Sequence, residues 1–342
     1  MADEVVVSGT SRNRTEIIRY LVGVAVGIVV LLLLFGKRNE LGPAWHQVRQ
    51  ANLGWVAAGI GAEALSLLTF AVMQHRVLRL SGSKISLGSL MLLSLANDAI
   101  ANTVPGEPAI SSAYRFRFYR RQGTTSASAG WTIFTILVAQ AIGMSLLLLL
   151  GVLVALASGG IKDAGASIAG LVIVIIAVAV LVRRDLILRL VSALTRLVQR
   201  ISTRGRDAKE GGLAERIQAT LARMREIPLS TGSTVGIAGL ATAVWFGDFL
   251  CLVCGFAATG AAIPWDGVLL AYGVAQVAGT LPIVPGGIGI IEGSLAIILI
   301  GFGASRPSAL AAAVIYRAIS FWLAIAVGWS SVWVIAHRHR RS

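Results

Sequence analysis

Six ionisable side chains interrupt otherwise apolar stretches of this 342-residue chain: Glu63, Asp98, Glu107, Asp248, Glu292 and Arg317. Charge placed in hydrocarbon costs several kcal/mol, so each is a functional candidate by default. Arg317 stands in Ile315-Tyr316-Arg317-Ala318-Ile319-Ser320-Phe321-Trp322. Its guanidinium cannot be neutralised by losing a proton. Two readings are open: an ion pair with Glu292 or Asp248, or a ligand for the phosphate of a lipid headgroup. Glu292 follows Gly289 by three residues. That spacing suits a carboxylate capping a helix that begins after Gly289, and equally a polar group facing a substrate cavity; the two are compatible. Asp98, with Asn97 and Asn102, could line a polar path or bond internally. At Pro105-Gly106-Glu107-Pro108 a helix start is expected, with Pro at its first position. The backbone N–H groups of such a break form an anion site. Pro285, Gly286, Gly287 and Gly289 make a second break of the same kind. Glu63 and Asp248 are better explained by partners across helices.

Other chemistries find no support. Cys251 and Cys254 sit in one apolar run with Trp245, Phe246 and Phe249, and read as small buried hydrophobes. The four histidines (46, 75, 337, 339) have no metal-ligand spacing. Gly287-Ile288-Gly289 follows no strand, and no G-x-x-x-x-G-K-[ST] occurs, so no nucleotide site is indicated. We expect no enzyme, no cofactor and no metal.

The elements that must position these residues follow from composition. Charged residues are 13% of the chain, hydrophobic residues 56%, and the mean hydropathy is +0.79. A soluble domain carries about 25% charge and about 45–50% apolar residues. The apolar runs are long and continuous, unlike the weak alternation of a β-barrel. The expectation is an all-α integral membrane protein. A core about 30 Å thick needs about 20 helical residues. Segments 18–35, 53–73, 128–157, 233–259 and 308–334 meet that need, and 168–182 is shorter but intensely apolar. Segments 87–104 and 267–303 run into the Pro-Gly breaks. Lipid cannot satisfy the backbone groups such breaks free, so a break survives at depth only when protein or a wet cavity covers it. Both segments therefore read as re-entrant helical hairpins, giving about six spans plus two hairpins.

Charge sets the orientation. There are 30 Lys plus Arg against 16 Asp plus Glu, a net +14. The basic residues lie between apolar runs, which is the positive-inside pattern; the basic motif and aromatic platform of a nucleic-acid binder are missing. With both hairpins returning to the side they enter, 24 of the 30 basic residues fall on the cytoplasmic side. The two hairpins then enter from opposite sides, and their breaks read alike, Val104-Pro105-Gly106 and Val284-Pro285-Gly286. Matched breaks in two halves point to a transporter's binding site in an inverted-repeat-like fold. The expected organisation is a disordered cytoplasmic tail (1–16), one polytopic membrane domain (17–335) and a basic cytoplasmic tail (336–342). Residues 17–35 read as an uncleaved signal anchor. Within the domain, 183–227 has helical Leu spacing and a basic face suited to an anionic lipid surface. Gly23-x-x-x-Gly27 and Gly232-x-x-x-Gly236 would allow close helix approach within the bundle.

The run Pro285-Gly286-Gly287-Ile288-Gly289-Ile290-Ile291-Glu292, followed by Tyr316-Arg317-Ala318-Ile319-Ser320-Phe321-Trp322, resembles the lysylphosphatidylglycerol synthase transmembrane (flippase-like) family. That family includes the membrane part of the bacterial multiple peptide resistance factor. The Pro105-Gly106 break leading to Tyr114 and an Arg-rich turn is similar to the family's first motif, and the resemblance spans about residues 17–335. Family members often carry an acid where Ile110 stands here; Glu107 is the nearest acid. The resemblance implies translocation of a phospholipid or other lipid-linked substrate, often aminoacylated phosphatidylglycerol, across a bacterial cytoplasmic membrane with both termini inside. It implies no synthase activity, since the soluble transferase domain of longer members is not in this sequence. The site expected is Asp98, Asn102, Pro105, Gly106, Glu107, Pro285, Gly286, Gly287, Gly289, Glu292 and Arg317, with a membrane phospholipid as substrate. Two alternatives are a non-transporting scaffold for an envelope-lipid enzyme and a proton-coupled small-solute transporter using Asp98 or Glu292. A homo-oligomer or an envelope-lipid enzyme partner is compatible with each.

Overall fold

The structure is a computed structural model that describes residues 38–103, 109–159, 230–280 and 285–341. The segments 18–35, 168–182 and 183–227 lie outside the described residues, as do Pro105, Gly106 and Glu107. Within the described residues the chain is all-helical. A short α1 (Arg38–Arg49) precedes α2 (Leu53–Leu80). Then come α3 (Leu87–Thr103), α4 (Ala109–Arg121) and α5 (Ser126–Ala157). The second half holds α6 (Thr231–Ala258), α7 (Val268–Gly279), a 3-10 turn (Pro285–Gly287) and α8 (Ile290–Gly301). It closes with α9 (Arg306–Arg317), a π-helical turn (Ala318–Leu323) and α10 (Ala324–Arg341).

Among the described residues, four helical stretches are long and apolar enough to cross a membrane: α2, α5, α6 and the 30-residue run Arg306–Ile335. Side-chain oxygens begin α2, α5, α6 and α9. Asn52, Thr125, Ser230 and Ser305 each accept a backbone N–H from the first turn, satisfying donors that lipid would leave bare. By contrast α7 and α8 have 12 residues each, about 18 Å at the helical rise. Neither spans alone, so the pair returns to the end it came from.

Within the described residues the chain therefore runs span, hairpin, span, twice: α2, α3–α4, α5, then α6, α7–α8, α9–α10. Contacts across the halves are reciprocal. The first spans pack on each other (α2 on α6), and each entering hairpin helix packs on the last span of the other half (α3 on α10, α7 on α5). The halves are inverted. Asn52 N, at the start of α2, donates to Ala258 O at the end of α6 (2.9 Å). Toward the other end of the seam, a Cβ on Gly236 would lie 3.0 Å from the Arg76 guanidinium.

Two ends can be traced through such contacts. At one, Ser128 of α5 donates to Ser81 O after α2 (3.3 Å), and His75 meets Ile85 O before α3 (2.9 Å). At the other, Gln47 donates to Ser308 Oγ (3.4 Å), and a side chain on Gly267 would overlap Phe302. The first hairpin thus opens at the end carrying Arg76, Arg79, Lys84, Arg117, Arg120 and Arg121. The second opens at the end carrying Arg49 and Arg306. Exposed Trp45, Trp55 and Trp265 ring the latter end and Trp333 the former, the levels at which indole rings anchor in a bilayer.

One local expectation needs revision. Gly232 has open space around it, and Gly236 receives the Arg76 side chain rather than a helix backbone. The close crossing is made instead by Gly143, where a Cβ would come within 2.7 Å of the Ala241 carbonyl carbon; only hydrogen fits between α5 and α6 there. The short α1 before α2 packs on α9.

The topology has a direct test. In a variant lacking Cys251 and Cys254, single cysteines at Lys84 and Ser305 should label with impermeant thiol reagents from opposite faces of the membrane. Labelling of both from one face would break the inverted arrangement.

Candidate functional site

The P-G-G-I-G run shapes the second break. Gly286, Gly287 and Gly289 have φ of 62°, 62° and 82°, a region that L side chains avoid. The turn ends at Gly289, and α8 starts with Glu292 as its third residue. Glu292 Oε2 accepts the Gly289 N–H (2.7 Å), and Oε1 accepts Arg317 Nε–H (2.8 Å). The cap and the polar-site readings of Glu292 are thus one arrangement: a carboxylate that caps α8 with one oxygen and holds Arg317 with the other.

Arg317 closes the ring by donating from Nη2 to Gly286 O (2.7 Å). Its guanidinium carbon stands 4.1 Å from the Phe321 ring centroid, a cation–π distance. The side chains are 8% and 18% exposed for Arg317 and Glu292. This is a largely desolvated, charge-neutral pair, and in this structure the pairing reading of Arg317 holds. Arg317 and Phe321 are four apart and so share a helix face, across a stretch that includes the π turn, while Ile319 faces Gly59 of α2.

The first hairpin reaches this ring from the other end. A Cβ on Gly286 would overlap Phe321 Cε2 and lie 3.2 Å from Asn102 O. The last turn of α3 and the second break therefore touch, and α3 packs on the 3-10 turn. With α8 about 18 Å long from its own end, the meeting lies near the middle of a hydrocarbon core of about 30 Å. Pro285 opens the 3-10 turn, and Gly287 packs against Gly279 of α7.

Asp98 lies one turn before Asn102 on α3, within electrostatic reach of Glu63. Glu63 belongs to a second buried cluster around Asp248. Asp248 Oδ2 accepts from Tyr272 Oη (2.5 Å), Gln276 Nε2 (2.8 Å) and Tyr316 Oη (2.9 Å), and Glu63 lies beside it. Four helices converge on this carboxylate, and Tyr316 ties it to its chain neighbour Arg317. A third network links Tyr119 Oη to Gln74 Oε1 (2.7 Å) and Gln74 Nε2 to Ser94 Oγ (2.6 Å), fixing α4 to α2 and α3.

Sequence reasoning passed over Tyr272, Gln276, Tyr316 and Phe321. A signal was present: Tyr272 and Gln276 are four apart, so on one face of a helix, and Tyr316 adjoins Arg317. Among the described residues, no three His, Cys, Asp or Glu side chains are placed to hold a metal ion. A cavity of about 140 Å³ opens at the Arg-rich end, lined by Tyr114, Arg117, Phe118, Arg121 and Ile335.

Opposed re-entrant hairpins, antiparallel first spans and a neutral ion pair at their meeting point define a multi-pass helical membrane protein of the inverted-repeat class. The family model described as Lysylphosphatidylglycerol synthase TM region matches residues 20–328. The chain belongs to that family, and so to the membrane proteins of lipid handling; the matched region is the transmembrane, non-catalytic part of such synthases. No curated protein matches the chain.

Proposed function

We propose that this protein translocates a phospholipid or other lipid-linked substrate across the bacterial cytoplasmic membrane, with its Arg-rich end on the cytoplasmic side. The observation that carries the reading is the contact between Gly286 and Asn102. Two hairpins entering from opposite ends meet at mid-depth beside the Glu292–Arg317 pair. A headgroup needs such a polar crossing point, because bare charge in hydrocarbon costs several kcal/mol. A lipid phosphate offers Arg317 an anionic oxygen like the one Glu292 provides, with a charge-assisted hydrogen bond of the same kind. Exchange of one anion for the other lets the headgroup pass without leaving a bare cation. The cavity at Tyr114, Arg117 and Arg121 suits first capture of the phosphate, the acyl chains staying in the bilayer. Asp98, Glu107 and the backbone of the first break would complete the path.

Purified protein in liposomes should accelerate leaflet exchange of an anionic or aminoacylated phospholipid without added nucleotide. Glu292→Gln should slow exchange at least tenfold. A scaffold would leave exchange at the rate of empty liposomes and be indifferent to this substitution. A solute carrier would take up solute and leave lipid asymmetry unchanged.

A further inference from the structure

The seam between α2 and α6 joins the two halves. It is tight at its middle: a Cβ on Gly247 would come 3.0 Å from Ser66 Cβ, and Ser66 Oγ donates to Val244 O (2.8 Å). At this level Glu63 of α2 and Asp248 of α6 lie side by side in the buried seam. Two adjoining buried carboxyl groups cannot both stay ionised; one oxygen must carry a proton. The partners say which. Asp248 accepts from two phenols and an amide, all donors that favour an ionised acceptor. Glu63 Oε2 is buried with no hydrogen-bond partner. An ionised Glu63 would leave a charged oxygen bare, whereas a carboxylic acid donating to Asp248 leaves only a neutral carbonyl.

The groups facing the pair are Asp98 from α3, Cys251 from α6, Tyr272 and Gln276 from α7, and Tyr316 and Arg317 from α9. Arg317 supports one negative charge on Asp248. With Glu292 already paired to Arg317, a second negative charge at the seam finds no further cation among the groups just named and would repel both Asp248 and Asp98.

We propose that Glu63 and Asp248 form a proton-binding site that clamps the two inverted halves together, and that loss of its one proton parts α2 from α6. The step breaks the Glu63 O–H bond, delivers the proton to water at whichever face has access, and leaves two adjoining carboxylates that repel. The site lies apart from the Glu292–Arg317 ring but is linked to it through Tyr316. It would let a proton gradient bias the rocking of the halves. The clamp deepens the lipid-translocation reading; the proton site itself stands independently of it.

Two measurements test this. Infrared spectra of the purified protein near neutral pH should show a carboxylic-acid carbonyl band that shifts in heavy water. The band should disappear in Glu63→Gln, shift in Asp248→Asn and stay in Asp98→Asn. Gln retains an N–H donor toward Asp248, so the variant should fold; if it does not, the shift in Asp248→Asn decides the matter. A band unmoved by either substitution overturns the proton site. In liposomes, wild-type lipid exchange should rise several-fold from acid to alkaline pH, as the proton is lost, and Glu63→Gln should stay at the acid rate throughout. A wild-type rate that ignores pH overturns the clamp. If wild-type liposomes exchange no lipid at any pH, the translocation reading fails and the infrared result still decides the proton site.

Discussion

Removing either member of the Glu292–Arg317 pair should cost about 3–5 kcal/mol of stability, whereas removing both should cost far less than the sum. Glu292→Gln leaves Arg317 without a counter-charge in a site where its side chain is 8% exposed. It also weakens the cap on α8, because a neutral amide oxygen accepts the Gly289 N–H less strongly. Arg317→Gln leaves Glu292 charged, but the Gly289 N–H still holds that carboxylate, so this variant should be the less damaged of the two. The double variant restores neutrality, and its two amides can bond to each other. Thermal unfolding in detergent, followed for the four proteins of the cycle, reads the coupling directly. Additive losses would show that the two groups act through different partners and that the 2.8 Å contact contributes little.

A comparable loss is expected at Gly286, for a steric reason. Its φ of 62° already disfavours any side chain by about 1–2 kcal/mol, and the added Cβ would overlap the Phe321 ring. That ring supports the Arg317 guanidinium. Gly286→Ala should therefore displace Phe321, disturb the ion pair and slow lipid exchange at least tenfold. Phe321→Leu in the same chain should restore part of the loss by making room, leaving the backbone strain and the missing cation–π contact. Gly286→Ala at the wild-type rate would mean that the break is not part of the path. Failure of Phe321→Leu to improve it would place the damage in the backbone alone.

Much of the fold is legible in the sequence because lipid enforces simple rules. A run of about 20 apolar residues can only be a helix, so α5 and α6 lie within two residues of their expected bounds. The two Pro-Gly breaks mark hairpins because half-length helices cannot cross, and the arginine distribution orients the hairpins oppositely. Glu292 at the third position of α8 follows from Gly289 three residues earlier. Glu63 and Asp248 were rightly assigned partners across helices. Other features are not local. The pairing of Arg317 with Glu292 rather than with a phosphate or Asp248 depends on how α8 and α9 pack. The π turn after Arg317 has no marker in Ala318–Leu323. Asp98 and Asn102 are four apart, about 6 Å along α3; the backbone carbonyl of Asn102 reaches the break, while Asp98 lies within electrostatic reach of Glu63. Sequence by itself determined which residues must lie at mid-membrane, since position within an apolar helix sets depth. Only the tertiary structure decided which of them meet, because helix rotation and crossing are set by close packing between elements far apart in the chain. Gly143 on Ala241 and Gly247 on Ser66 are such contacts. They are what sort the buried charges into one ring around Arg317 and one cluster around Asp248.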